Sequence, residues 1–136
     1  MKTYNLFISH SWRYSDQYDR LVNLLRERGY FAFRNYSVPP DDPIHGAGND
    51  AQLRRAIRNH MAPCHVVLIL AGVYASYSKW INVEIELAEM NFSDPKPIIA
   101  IAPWGSERIS KPVRAAADRI VRWNTESTVK AIRDLA

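Results

Sequence analysis

One carboxylate in this sequence falls where carboxylates are costly. From Trp80 onward, at about 100° per residue, Trp80, Ile81, Val83, Ile85, Leu87, Ala88, Met90 and Phe92 span a broad apolar arc. Glu84 projects near the middle of that arc, flanked by Trp80, Leu87 and Ala88, whereas Glu86 and Glu89 project to the opposite side. An acid on the inward face of a helix loses its hydration and needs a partner or a function. Two readings follow from the pattern: a buried, hydrogen-bonded structural Glu, or a catalytic carboxylate.

Other chemistries find little support. The first strand-like segment is followed by Ser9-His-Ser-Trp12 and not by a glycine-rich dinucleotide turn, and no phosphate-binding P-loop is present. His60 and His65 are separated by Pro63, so they cannot share a helix face as metal ligands. His60 is expected at the surface and His65 at the start of a strand. Ser9 and His10 are adjacent at a strand end, where neighbouring side chains point in opposite directions. A phospho-acceptor domain of the same β-α order would place an acidic pair after strand one and an Asp after strand three. Those places hold Ser9-His10 and Ala71-Gly72.

The elements that must position Glu84 are legible from periodicity. Tyr4–Ser9, Tyr30–Tyr36, His65–Ala71, Pro97–Ala102 and Arg119–Trp123 read as strands. The runs at 65–71 and 97–102 are apolar without alternation, as in strands of a parallel sheet covered on both faces. Between them lie amphipathic helical segments. One runs from Arg13 to Arg28 and stops at Gly29; another follows Asn49 or Asp50, with Leu53, Ala56, Ile57 and Met61 inward. A third opens at Ser76 or Ser78 and runs to about Phe92. A short one lies around Val113–Ala117, and Thr125–Leu135 closes the chain behind a cap at Asn124 or Thr125. Ser37–Asn49 holds Pro39, Pro40, Pro43, Gly46 and Gly48, and so reads as a long loop.

Strand and helix thus alternate about five times, which implies an α/β fold with a parallel sheet and right-handed crossovers. Ligands of such sheets bind beyond the carboxyl ends of the strands, where the strand order switches. Here that rim is built by Ser9–Trp12, Ser37–Gly48, Gly72–Trp80 and Pro103–Ser110.

The 136 residues are expected to form one domain, 1–136, with 47% hydrophobic residues for its core. Net charge is +4, from 18 Lys and Arg against 14 Asp and Glu. That favours encounters with anions such as nucleotides. The basic residues are scattered, so no nucleic-acid partner is expected. Cys64 is the one cysteine, so an intramolecular disulfide and a Cys-rich zinc site are excluded. No metal site is expected. With no apolar run near the roughly 20 residues of a membrane helix and no room for a signal peptide, a cytoplasmic protein with no membrane partner is expected.

Three segments resemble the TIR superfamily, in particular the divergent bacterial TIR-like branch found in Thoeris antiphage systems. Phe7-Ile-Ser-His-Ser11 looks like the first TIR box. Val38-Pro-Pro-Asp-Asp-Pro43 stands where the TIR BB loop follows strand two. Ser78-Lys-Trp-Ile-Asn-Val-Glu84 looks like the S-x-W-x-x-x-E segment of NAD-cleaving TIR domains. The resemblance spans nearly the whole chain, although the loop lacks the R-D-x-x-P-G pattern of animal TIR domains.

The resemblance implies a flavodoxin-like α/β three-layer sandwich with a central five-stranded parallel sheet, with Glu84 catalytic and NAD as a substrate, and no separate cofactor. Glu84 would hold the ribose hydroxyls and stabilise the oxocarbenium-like centre as nicotinamide leaves, a sound electrostatic device in a dry site. The products would be nicotinamide with ADP-ribose or a cyclic ADP-ribose isomer. In Thoeris systems that isomer is a messenger to a separate effector protein. By position, Ser9, His10 and Ser11 would line the nucleotide pocket, Tyr36 or His45 would contribute from the second loop, and Trp80 would brace Glu84. A homo-oligomer is expected when active. The competing expectations are a non-catalytic module recruiting partners through Ser37–Gly48, and a nucleotide sensor without turnover.

Overall fold

In a computed structural model, the chain runs β1 (Thr3–Ser9), α1 (Asp16–Glu27), β2 (Ala32–Asn35), α2 (Asp50–Met61), β3 (Val66–Leu70), α3 (Lys79–Met90), β4 (Ile98–Ala102), α4 (Lys111–Ala116), β5 (Arg119–Arg122) and α5 (Thr125–Leu135). The structure describes residues 2–9, 16–37, 50–70, 79–90, 92–102, 109 and 111–136, with backbone alone for 16, 17, 50, 53, 79 and 80. The strands form one parallel sheet in the order β2-β1-β3-β4-β5. The parallel sheet is the one that the alternating pattern implies, and its order is that of the flavodoxin-like α/β architecture.

Every residue of β3 and β4 is buried, because helices cover the sheet on both sides. Successive side chains of a strand point to opposite faces, so each strand feeds two cores. Phe7, Val67, Ile69, Ile98 and Ala100 meet Ile57 and Met61 of α2, Ile81, Ile85 and Leu87 of α3, and Val113 of α4. Leu6, Ile8, Val66, Leu68, Ile99 and Ile101 meet Leu21, Val22 and Leu25 of α1, with Val129 and Ile132 of α5. Cys64 is buried in the first of these cores, and burial pushes its thiol up to about 12 against a smaller opposing pull from Lys96. It behaves as a small hydrophobe.

The order places β1 between β2 and β3, so the chain winds outward on one side of β1 and then on the other. The switch in strand order therefore lies between β1 and β3, where Ser9 pairs with Ile69. Most of the four rim segments expected from sequence lies outside the described residues. No helix among the described residues is long and apolar enough to cross a membrane.

The helix ends follow local chemistry. Gly29 takes φ +74 just past α1, the left-handed conformation that glycine adopts at least cost. Of the two candidate caps for α5, Asn124 is the one used: its side chain accepts from the Ser127 N–H at 2.9 Å. Asn124→Ala should cost about 1 kcal/mol, read in a thermal melt as a Tm lower by roughly 3–5 °C. An unchanged Tm would mean that this cap contributes nothing.

Candidate functional site

Helix α3 carries the sequence's outlying carboxylate into the core. Ile81, Glu84, Ile85, Leu87 and Ala88 are all buried, and Glu86 and Glu89 are exposed. The salt bridge from Arg54 of α2 to Glu86, at 2.9 Å, fixes the solvent side of the helix. One arc position departs from expectation: Met90 is 74% exposed. At 100° per residue it lies about 120° from Glu84, beyond half-buried Val83, and so at the margin of the covered face.

Glu84 itself is only 7% exposed. Ser9, 1% exposed at the carboxyl end of β1, is the described side chain that acts on it. Burial pushes the Glu84 carboxyl up to about 8, with the Ser9 hydroxyl pulling the other way. Ser9 Oγ and Glu84 Oε2 are both buried, and among the described residues neither has a hydrogen-bond partner of ordinary geometry. A structural, hydrogen-bonded Glu would satisfy both oxygens, because an unpaired buried polar atom costs on the order of 1–3 kcal/mol. This carboxyl leaves one oxygen open. Ser9→Ala should therefore move the Glu84 midpoint further above 8, followed by the carboxyl ¹³C shift in a pH titration. A midpoint that stays or falls would show that the hydroxyl does not reach the acid.

Of the other residues expected at the site, Tyr36 is half-buried and packs on the same core as Ile81 and Ile85. It shares that face of the sheet with Glu84. Trp80 lies in the first turn of α3, and its side chain is outside the described residues. His10, Ser11 and His45 are also outside them.

Two expectations about histidine resolve differently. His65 stands at the start of β3, where its Nδ1 accepts from the Asn5 N–H at 2.9 Å. His60 is not simply a surface residue: it is half-buried, and its Nδ1 donates to the Tyr36 carbonyl at 3.0 Å. The sequence pattern also passes over Ser37, a buried residue just after β2 whose Oγ accepts from the Ile8 N–H at 2.8 Å. No periodicity marks it, because it lies at a strand end where the chain leaves the ladder.

Among the described residues, Glu84 is thus an acid with an unpartnered oxygen, near an unpartnered hydroxyl, at the switch point of a parallel sheet. Such a group can accept a hydroxyl hydrogen bond or face a cation. The family model described as Thoeris protein ThsB, TIR-like domain, matches residues 7–108, a stretch that contains both Ser9 and Glu84. No curated protein matches the chain.

Proposed function

Since the chain belongs to the Thoeris ThsB TIR-like family, as a Thoeris-type antiphage TIR protein, we propose that it cleaves NAD at the bond between ribose C1′ and the nicotinamide nitrogen. The observation that supports this reading is the buried Glu84 carboxyl, with Oε2 unpartnered beside Ser9.

The chemistry follows from charge. As the C1′–N bond breaks, its electron pair leaves with nicotinamide and neutralises the ring, while positive charge develops at C1′. An ionised Glu84 beside that carbon stabilises the charge more strongly than water does, because its surroundings are apolar and fixed. The same burial keeps Glu84 protonated when the site is free, with its carboxyl pushed up to about 8. A cationic nicotinamide ring placed next to it favours the ionised form. Substrate binding then prepares the acid that the reaction needs. Water at C1′ gives ADP-ribose, and an internal nucleophile of the nucleotide gives a cyclic isomer.

Ser9 is assigned to the pocket with Glu84, and His10, Ser11, Tyr36, His45 and Trp80 to its lining. We further propose that the active form is a homo-oligomer in the cytoplasm and that its product reaches a separate effector as a messenger. The purified protein incubated with NAD should release nicotinamide and an ADP-ribose-type product, identified by mass spectrometry and NMR. Saturable NAD binding with no nicotinamide released would point to a sensor. Neither binding nor release, at high protein concentration and with the phage trigger present, would point to an interaction module.

A further inference from the structure

Strands β1 and β2 separate abruptly, and the way they do so bears on Ser9. In a parallel ladder, the N–H and C=O groups of one strand bond evenly to the next. The last regular rung here is the Tyr36 N–H donating to the Leu6 carbonyl at 2.9 Å. The following rung would run from the Ile8 N–H to the Tyr36 carbonyl. Instead, the Ile8 N–H donates to Ser37 Oγ at 2.8 Å, and the Tyr36 carbonyl turns to accept from His60 Nδ1 of α2 at 3.0 Å. A side chain has replaced the backbone on the β2 side of β1, one residue before Ser9.

That side chain is itself held. Ser37 donates to Asn35 Oδ1 through its N–H at 3.0 Å and through its hydroxyl. The Asn35 amide donates in turn to the Tyr18 hydroxyl of α1 at 2.6 Å. Ser37 is 7% exposed and fully engaged, so its hydroxyl has a single orientation: donor to Asn35, acceptor from Ile8. On its other side β1 is paired with β3 through Ser9 and Ile69. The carboxyl end of β1 is thus pinned from both flanks, by a strand on one side and by this network on the other.

We propose that Ser37, oriented by Asn35 and released from the ladder by His60, is a positioning residue that fixes the end of β1 so that the Ser9 hydroxyl faces the Glu84 carboxyl. This rests on the reading of Glu84 as the working acid. Neither Ser37 nor His60 need touch substrate; they act through Ser9. Without the Ser37 hydroxyl, the Ile8 N–H loses its partner and the last residues of β1 are free to shift, carrying Ser9 from its place. Threonine keeps the hydroxyl and the bond.

The test is a pH titration of the Glu84 carboxyl by ¹³C NMR in the full chain, for wild type, Ser37→Ala and Ser37→Thr, each checked by circular dichroism and a thermal melt. Among the described residues, burial and the Ser9 hydroxyl are the influences on this carboxyl, and no charged side chain of a neighbouring element is among them. Displacing Ser9 should raise the midpoint of Ser37→Ala by about half a pH unit or more, and Ser37→Thr should return it to the wild-type value. A general loss of stability lowers the melt without moving that midpoint. A folded Ser37→Ala with the wild-type midpoint overturns the proposal. Should Ser37→Ala not fold, His60→Ala decides: it frees the Tyr36 carbonyl, and an unmoved midpoint there overturns the proposal equally. NAD turnover by the same proteins separates the two claims. Wild type that releases no nicotinamide overturns the catalytic reading, whereas an unmoved midpoint overturns the positioning role alone.

Discussion

At about pH 9 the Glu84→Gln protein should melt on the order of 10 °C above wild type, and near pH 4 the two should melt together. Glutamine is a neutral isostere of the protonated acid. The folded-state value of Glu84 is raised, from 4.5 to about 8. Between those values the folded chain holds a proton that the unfolded chain has lost, so stability falls as pH rises across the window. The stabilising share of the buried neutral acid is fully present below 4.5 and is gone above about 8. At roughly 1.4 kcal/mol for each pH unit that separates the two values, the whole effect is on the order of 3–5 kcal/mol. Melts at several pH values, followed by far-UV circular dichroism, measure it directly. Equal melting temperatures at high pH would mean that Glu84 is solvated or paired, and the site would not be the dry one described above.

Activity should run the other way. The ionised carboxylate stabilises a cation, so kcat/KM for NAD should climb about tenfold per pH unit below its midpoint and level off above it. Because kcat/KM reports the free enzyme, the midpoint should fall near 8, the value of the unliganded carboxyl. The profile of kcat should be flatter, since bound nicotinamide brings a positive charge that lowers the carboxyl. Glu84→Gln should lose roughly a thousandfold in kcat and show no such limb. A rate that falls with rising pH through this range would assign Glu84 as a proton donor and remove the electrostatic mechanism. Together, the two effects set stability against function at one residue: the substitution that steadies the fold at high pH also removes the reaction.

Much of this is legible without coordinates. The unbroken apolar runs at Val66–Leu70 and Ile98–Ala102 announce strands covered on both faces. The helical projection from Trp80 separates Glu84 from Glu86 and Glu89 because burial in a helix follows a fixed angular period. Both signals are local in sequence. The unread part is non-local. That Ser9 is the neighbour of Glu84 depends on β1 lying beside β3, a matter of strand order. His60 reads as a surface residue because its partner, the Tyr36 carbonyl, lies 24 residues away at the end of another element. Ser37 carries no signal, since a serine after a strand serves equally as a turn residue. Met90 departs for a different reason: an arc drawn from residue types alone does not show where the neighbouring layer stops.

The central claim is that Glu84 is the group that breaks the glycosidic bond of NAD. Nicotinamide release by wild-type and Glu84→Gln protein, measured side by side at about pH 9 where the wild-type carboxyl is ionised, tests it most directly. The result expected is steady release by wild type and almost none by a Glu84→Gln protein that is folded and melts higher. Equal release by the two proteins would contradict it, and the catalytic group would have to be sought elsewhere.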